Sequence, residues 1–88
     1  MQNATDNKVI VVYLKAGSEL RERLHPDLDH YTRRVEILEG SSIKKILEEI
    51  GLKPAFVAFI YAGGKVRGFD YIPKDGETIT LQSPVSGG

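Results

Sequence analysis

The chain has 88 residues, carries 12 basic against 12 acidic side chains, and is 41% hydrophobic. That size and apolar content predict one folded domain with a modest core rather than disorder. The zero net charge gives no ground for binding nucleic acid or an anionic membrane surface, and no apolar run approaches the ~20 residues of a membrane-spanning helix. Cysteine is absent, which removes disulfides, thiolate metal sites and cysteine nucleophiles together.

Residues 1–7 are polar and are expected to form a flexible lead, with no basic-then-apolar secretory pattern, so a cytoplasmic location is expected. Lys8 to Leu14 (KVIVVYL) reads as a buried strand. Ser18 is a candidate cap for a short helix over Glu19 to Leu24, which Pro26 ends. Residues 25–31 read as a loop, and Arg33 to Leu38 alternates around Val35 and Ile37 as a second strand. The two strands are expected to pair as a wide antiparallel hairpin with the short helix in its connection.

The clearest helix is Ser42 to Ile50. Ser41 or Ser42 is its N-cap, and Ile43, Ile46, Leu47 and Ile50 form one apolar stripe. Gly51 stands where a left-handed terminator is wanted, and Leu52 is expected to fold back onto the stripe. Ala55 to Tyr61 reads as a third strand whose faces are Phe56, Ala58, Ile60 and Val57, Phe59, Tyr61. Ala62 to Lys65 is a turn, Val66 to Gly68 a short segment, and Phe69, Tyr71 and Ile72 are expected to plug the core. Pro73-Lys74-Asp75-Gly76 is a turn, and Thr78 to Gln82 a last strand with Ile79 and Leu81 facing in. The fold class is α+β, a mixed sheet covered on one face by one main helix.

Pairing should end near Pro84, which has no N–H to donate. The expected organisation is a lead over 1–7, a domain over 8–83 and a tail over 84–88. That tail, Pro84-Val85-Ser86-Gly87-Gly88, ends in a diglycine. Two glycines form a thin strand suited to a narrow channel on another protein, with the carboxyl of Gly88 presented to a reagent; the alternative is a frayed end.

The helix Ser42–Gly51, the turn Lys74-Asp75-Gly76-Glu77 before the last strand, and the ending Ser83-Pro84-Val85-Ser86-Gly87-Gly88 resemble ubiquitin-fold sulfur carriers. These are the small subunit of molybdopterin synthase and the thiamine-pathway sulfur carrier. The likeness spans about residues 8–88, and Tyr13-Leu14 through Gly17-Ser18-Glu19-Leu20-Arg21-Glu22 is similar to the molybdopterin branch. The resemblance implies a β-grasp fold and a working Gly88. An E1-like enzyme would adenylate its carboxylate with ATP, and a sulfur donor would convert it to a thiocarboxylate. The tail would then enter a sulfur-accepting partner such as a molybdopterin synthase large subunit. The chain would be a non-catalytic carrier subunit that binds no cofactor itself. Gly87, Ser86, Val85 and Pro84 would line the partner's channel, the alternative being a linker that merely reaches. From the strand faces themselves, Phe59 is a candidate docking side chain on the open sheet face if Phe56 and Ile60 take the core, the alternative being that Phe59 fills the core and Phe56 lies outside.

The chemistry is coherent. A terminal carboxyl of pKa about 3.3–3.7 is an anion at neutral pH and a poor electrophile until adenylation supplies a leaving group. The stretch His25 to Arg34 is longer and more charged than a minimal carrier needs, and the retained first helix favours the molybdopterin branch, with tungsten pterin compatible. The alternatives are a thiamine sulfur carrier, a ubiquitin-like protein modifier, or a plain β-grasp binding module. Elsewhere, His25, Asp27, Asp29 and His30 match no metal-loop spacing and read as polar side chains of a solvent-facing loop. Gly63-Gly64-Lys65 lacks the rest of a phosphate loop, and Lys15, Lys65 and Arg67 read as solvated charges.

Overall fold

The structure is a computed structural model that describes residues 8–84. Its elements run β1 (Val9–Ala16), α1 (Ser18–Leu24), β2 (Thr32–Leu38), α2 (Ile43–Ile50), a 3₁₀ turn (Pro54–Phe56), β3 (Phe59–Ala62), β4 (Lys65–Arg67) and β5 (Thr78–Gln82). They build one five-stranded mixed sheet in the order β2-β1-β5-β3-β4. β1 pairs antiparallel with β2 and parallel with β5; β3 is antiparallel to both β4 and β5. This is the β-grasp arrangement expected from the sequence.

Period-2 alternation decides which side of the sheet is covered. Ile10, Val12, Leu14 and Ala16 of β1 are buried, as are Ile79 and Leu81 of β5, while Thr78, Thr80 and Gln82 face outward. The helices close over that buried side. Ile43, Ile46 and Leu47 of α2 are fully buried, and so are Leu20 and Leu24 of α1 or nearly so. α1 is therefore part of the core, not merely a link in the hairpin connection.

The ends of α2 explain why it stops and starts where it does. The Ser42 hydroxyl accepts from the Lys45 amide at 3.3 Å. The amides of Ile43 and Lys44 donate to the carbonyls of Tyr71 and Phe69, so the first turn's free donors are satisfied by the irregular stretch before β5. At the other end Gly51 adopts a left-handed φ of 76°, its amide donates to Glu48, and the Leu52 amide reaches back to Leu47. This is a Schellman closure, with buried Leu52 supplying the apolar contact.

Four expectations need correction. The cap position of α1 is Gly17, and Ser18 is the first helical residue; the end at Leu24 is as expected, with His25 left-handed (φ 58°) as the closing residue just before Pro26. Residues 55–58 are not strand. Pro54 opens a 3₁₀ turn, with Val57 donating to the Pro54 carbonyl, and the ladder begins only near Phe59. That turn breaks the alternation, so Val57 is buried while Phe59, assigned to the same face, is exposed. Phe69 and Tyr71 pack against the core as expected, but Ile72 is exposed. Residues 1–7 and the tail residues Val85, Ser86, Gly87 and Gly88 lie outside the described residues.

Candidate functional site at the root of the tail

β5 is held firmly at its start. The turn before it is stitched to β1: Asp75 Oδ1 accepts from the Val11 amide at 2.9 Å, the Gly76 amide donates to Val11, and the Tyr13 amide donates to Glu77. The Tyr71 hydroxyl donates to Glu77 Oε2 at 2.7 Å, and Glu77 Oε1 also accepts from the Lys74 amide. The Glu77 carboxylate, chiefly by that hydrogen bond and with help from burial, pushes the Tyr71 phenol above its ordinary value. The folded state thus retains a proton that the unfolded chain releases near pH 10. Its stabilisation is complete below that pH and is lost as pH rises through the higher folded value. Phenolate absorbance should therefore show a late alkaline transition that Tyr71→Phe removes and Glu77→Gln moves earlier; a titration unchanged by both would contradict the assignment.

The far end of β5 leads to the tail. The Ala58 amide donates to the Gln82 carbonyl at 2.7 Å, Phe59 is Gln82's ladder partner, Ser83 is half-buried and Pro84 exposed. Phe59 is 50% exposed on the open sheet face, so the side chain singled out from the sequence stands beside the last strand residue before the tail. Its ring lies 6.3 Å from that of Tyr61, tilted 32°. Val66, opposite Tyr61 in the ladder, is 60% exposed and extends the apolar edge. Sequence reading left Val66 out because a three-residue strand carries too little pattern to assign a face.

Behind the sheet, the tail root borders a cavity of about 200 Å³ lined by Glu19, Leu20, Arg23, Phe56, Ser83 and Pro84. The Arg23 guanidinium lies 3.8 Å above the Phe56 ring centroid, a close cation–π stack. No sequence signal marks this cavity, because α1 and the 3₁₀ turn meet only through tertiary packing.

The remaining candidates resolve locally. Asp27 Oδ1 accepts from the Arg34 amide and Asp29 Oδ1 from the Tyr31 amide; the latter bond lowers the Asp29 pKa. Among the described residues no His, Asp and Glu side chains gather as a metal site. Gly63 and Gly64, with φ of 64° and 77°, form the two-residue turn of the β3–β4 hairpin, as a primed turn requires. Arg67 is not a free surface charge: its Nε donates to the Ala62 carbonyl at 3.0 Å and its guanidinium stacks on Tyr71. Lys15 and Lys65 are exposed. No described helix is long and apolar enough to cross a membrane.

Solved structures that share this fold include the following. SAMP1 from Haloferax volcanii is 20% identical with a TM-score of 0.66, covering 89% of this chain and 99% of its own. A Pyrococcus furiosus protein assigned as molybdopterin converting factor, subunit 1, is 22% identical with a TM-score of 0.65, covering 86% and 99%. The HVO 2177 protein of Haloferax volcanii is 14% identical with a TM-score of 0.72, covering 99% and 94%. At these identities the likeness is one of fold, and it bears out the ubiquitin-like resemblance read from the sequence. No curated protein sequence matches the chain. The model of the Mut7-C ubiquitin family matches residues 9–86, nearly the whole chain, and the chain belongs to that family.

Proposed function

We propose that this protein is a sulfur carrier whose working group is the carboxyl of Gly88. The observation that carries the reading is the construction of β5. It is anchored at its start by Asp75, Gly76 and Glu77, runs between β1 and β3, and delivers Ser83-Pro84 beside exposed Phe59. Support also comes from the fold shared with a molybdopterin converting factor subunit.

In this reading an E1-like enzyme binds the domain and ATP. The Gly88 carboxylate attacks the α-phosphorus, pyrophosphate leaves, and an acyl-adenylate forms. A sulfide-level donor then attacks the carbonyl and displaces AMP, leaving a thiocarboxylate. The protein acts as a handle, and the partners supply the catalytic groups. Pro84, Val85, Ser86 and Gly87 pass through the partner's channel, while Phe59 docks against it. The receiving reaction is the sulfuration of a pterin precursor by a molybdopterin synthase-type large subunit.

Pyrophosphate exchange tests the adenylation step. With a purified E1-like enzyme, the chain should stimulate exchange between ATP and labelled pyrophosphate. Phe59→Ala should raise the KM for the chain by about tenfold, as loss of an aromatic anchor does, while costing only about 1 kcal/mol of stability, because half of the ring is in solvent and the rest lies beside Tyr61 in the ladder. A Phe59→Ala chain that melts normally and exchanges with unchanged KM would remove Phe59 from the docking surface.

A further inference from the structure

The tail root has a second wall, formed by α1 and the 3₁₀ turn on the side of the sheet away from Phe59. There the 200 Å³ cavity shares Glu19, Arg23 and Phe56 with a larger one of about 520 Å³ that reaches Gly51 and Leu52 at the end of α2. Glu19 lines both cavities, and Glu22 and His25 line the larger one. Both glutamates are exposed, and among the described residues neither forms an ion pair. The cation that shares their helix face, Arg23, lays its guanidinium on the Phe56 ring instead. The trough therefore offers an apolar notch at Phe56 and Pro84 over buried Leu20, beside two carboxylates that form no ion pair, with the one arginine of its lining, Arg23, held on the Phe56 ring.

We propose that this trough is a second contact surface for the adenylating enzyme, receiving a segment in which an apolar side chain is flanked by lysine or arginine. The inference rests on the carrier reading above, and charge complementarity selects the occupant. The notch has room for one apolar side chain, and the flanking cations meet Glu19 and Glu22. A partner that engages Phe59 on one side and the trough on the other encloses the root from both sides. The tail is then aimed by the rigid domain rather than by its own glycines.

The test is the steady-state kinetics of pyrophosphate exchange with a purified E1-like enzyme that charges the wild-type chain. Glu19→Lys with Glu22→Lys should raise the KM for the chain by about tenfold or more, with kcat kept within about twofold because the reacting carboxyl is untouched. Glu19→Gln with Glu22→Gln should fall between. Added salt should weaken the wild type and spare the charge-reversed chain. Phe56→Ala, checked for an intact melt, should raise KM and flatten the salt dependence, because Arg23 loses the ring it stacks on and is freed to pair with Glu19 one turn away. An unchanged KM in the charge-reversed chain, with the wild type charged normally, would overturn the trough while leaving the carrier reading in place. A wild-type chain that no E1-like enzyme charges would overturn both.

Discussion

A chain lacking Gly88, or one extended by a single alanine beyond it, is expected to take up no sulfur while melting like the parent. The chemistry demands a free carboxyl at the end of a strand with no side chains. Deletion leaves Gly87 too short to place its carboxyl at the activated phosphate, and positional errors of about 1 Å already cost on the order of a hundredfold. Extension buries the glycine carbonyl in a peptide bond, which cannot be adenylated. The fold should not notice either change. Among the described residues, the last ladder contact of β5 is the Ala58–Gln82 hydrogen bond, and the outermost packing at this end is at Ser83 and Pro84. The check is an adenylation assay run alongside thermal denaturation of the three chains. Sulfur loading of the extended chain, without prior trimming, would contradict the account.

The second large effect is on stability. Leu47→Ala should cost about 2–5 kcal/mol, the usual range for emptying a fully buried leucine site. Leu47 is completely buried on α2, within the same core as Leu14, Leu20 and Ile79. A typical domain has only about 5–15 kcal/mol in hand, and each kcal/mol lowers the melting temperature of a domain this size by roughly 4–8 °C. Denaturant unfolding of Leu47→Ala should therefore shift the midpoint far to low concentration, whereas Lys44→Ala, exposed on the same helix, should scarcely move it. A loss below about 1 kcal/mol for Leu47→Ala would mean that α2 does not close the core as described.

The sequence was most legible where local chemistry is self-sufficient. Ser42, the stripe Ile43, Ile46 and Leu47, and the terminator Gly51 mark α2 because caps and a 3.6-residue period are written in adjacent residues. Thr78 to Gln82 is equally clear, since Ile79 and Leu81 alternate with polar partners. Ala55 to Phe59 misleads because an all-apolar run carries no period, and Pro54 then opens a 3₁₀ turn that shifts the face of Val57. Ile72 misleads by composition alone. The bond from Val11 to Asp75 spans 64 positions, and the stack of Arg23 on Phe56 joins two elements that no sequence pattern links. The exposure of Phe59 followed only from giving Phe56 and Ile60 to the core, since its own apolar run carries no period; Val66 and the trough needed the folded neighbourhood.

The central claim is that Gly88 carries sulfur. The most direct measurement is the intact mass of the chain after incubation with ATP, an E1-like enzyme and a sulfur donor, followed by fragmentation. The account predicts the gain for one oxygen replaced by sulfur, located on Gly88 and dependent on ATP. An enzyme that adenylates the chain but leaves its mass unchanged, with the chain recovered instead in amide linkage to lysines of other proteins, would contradict it.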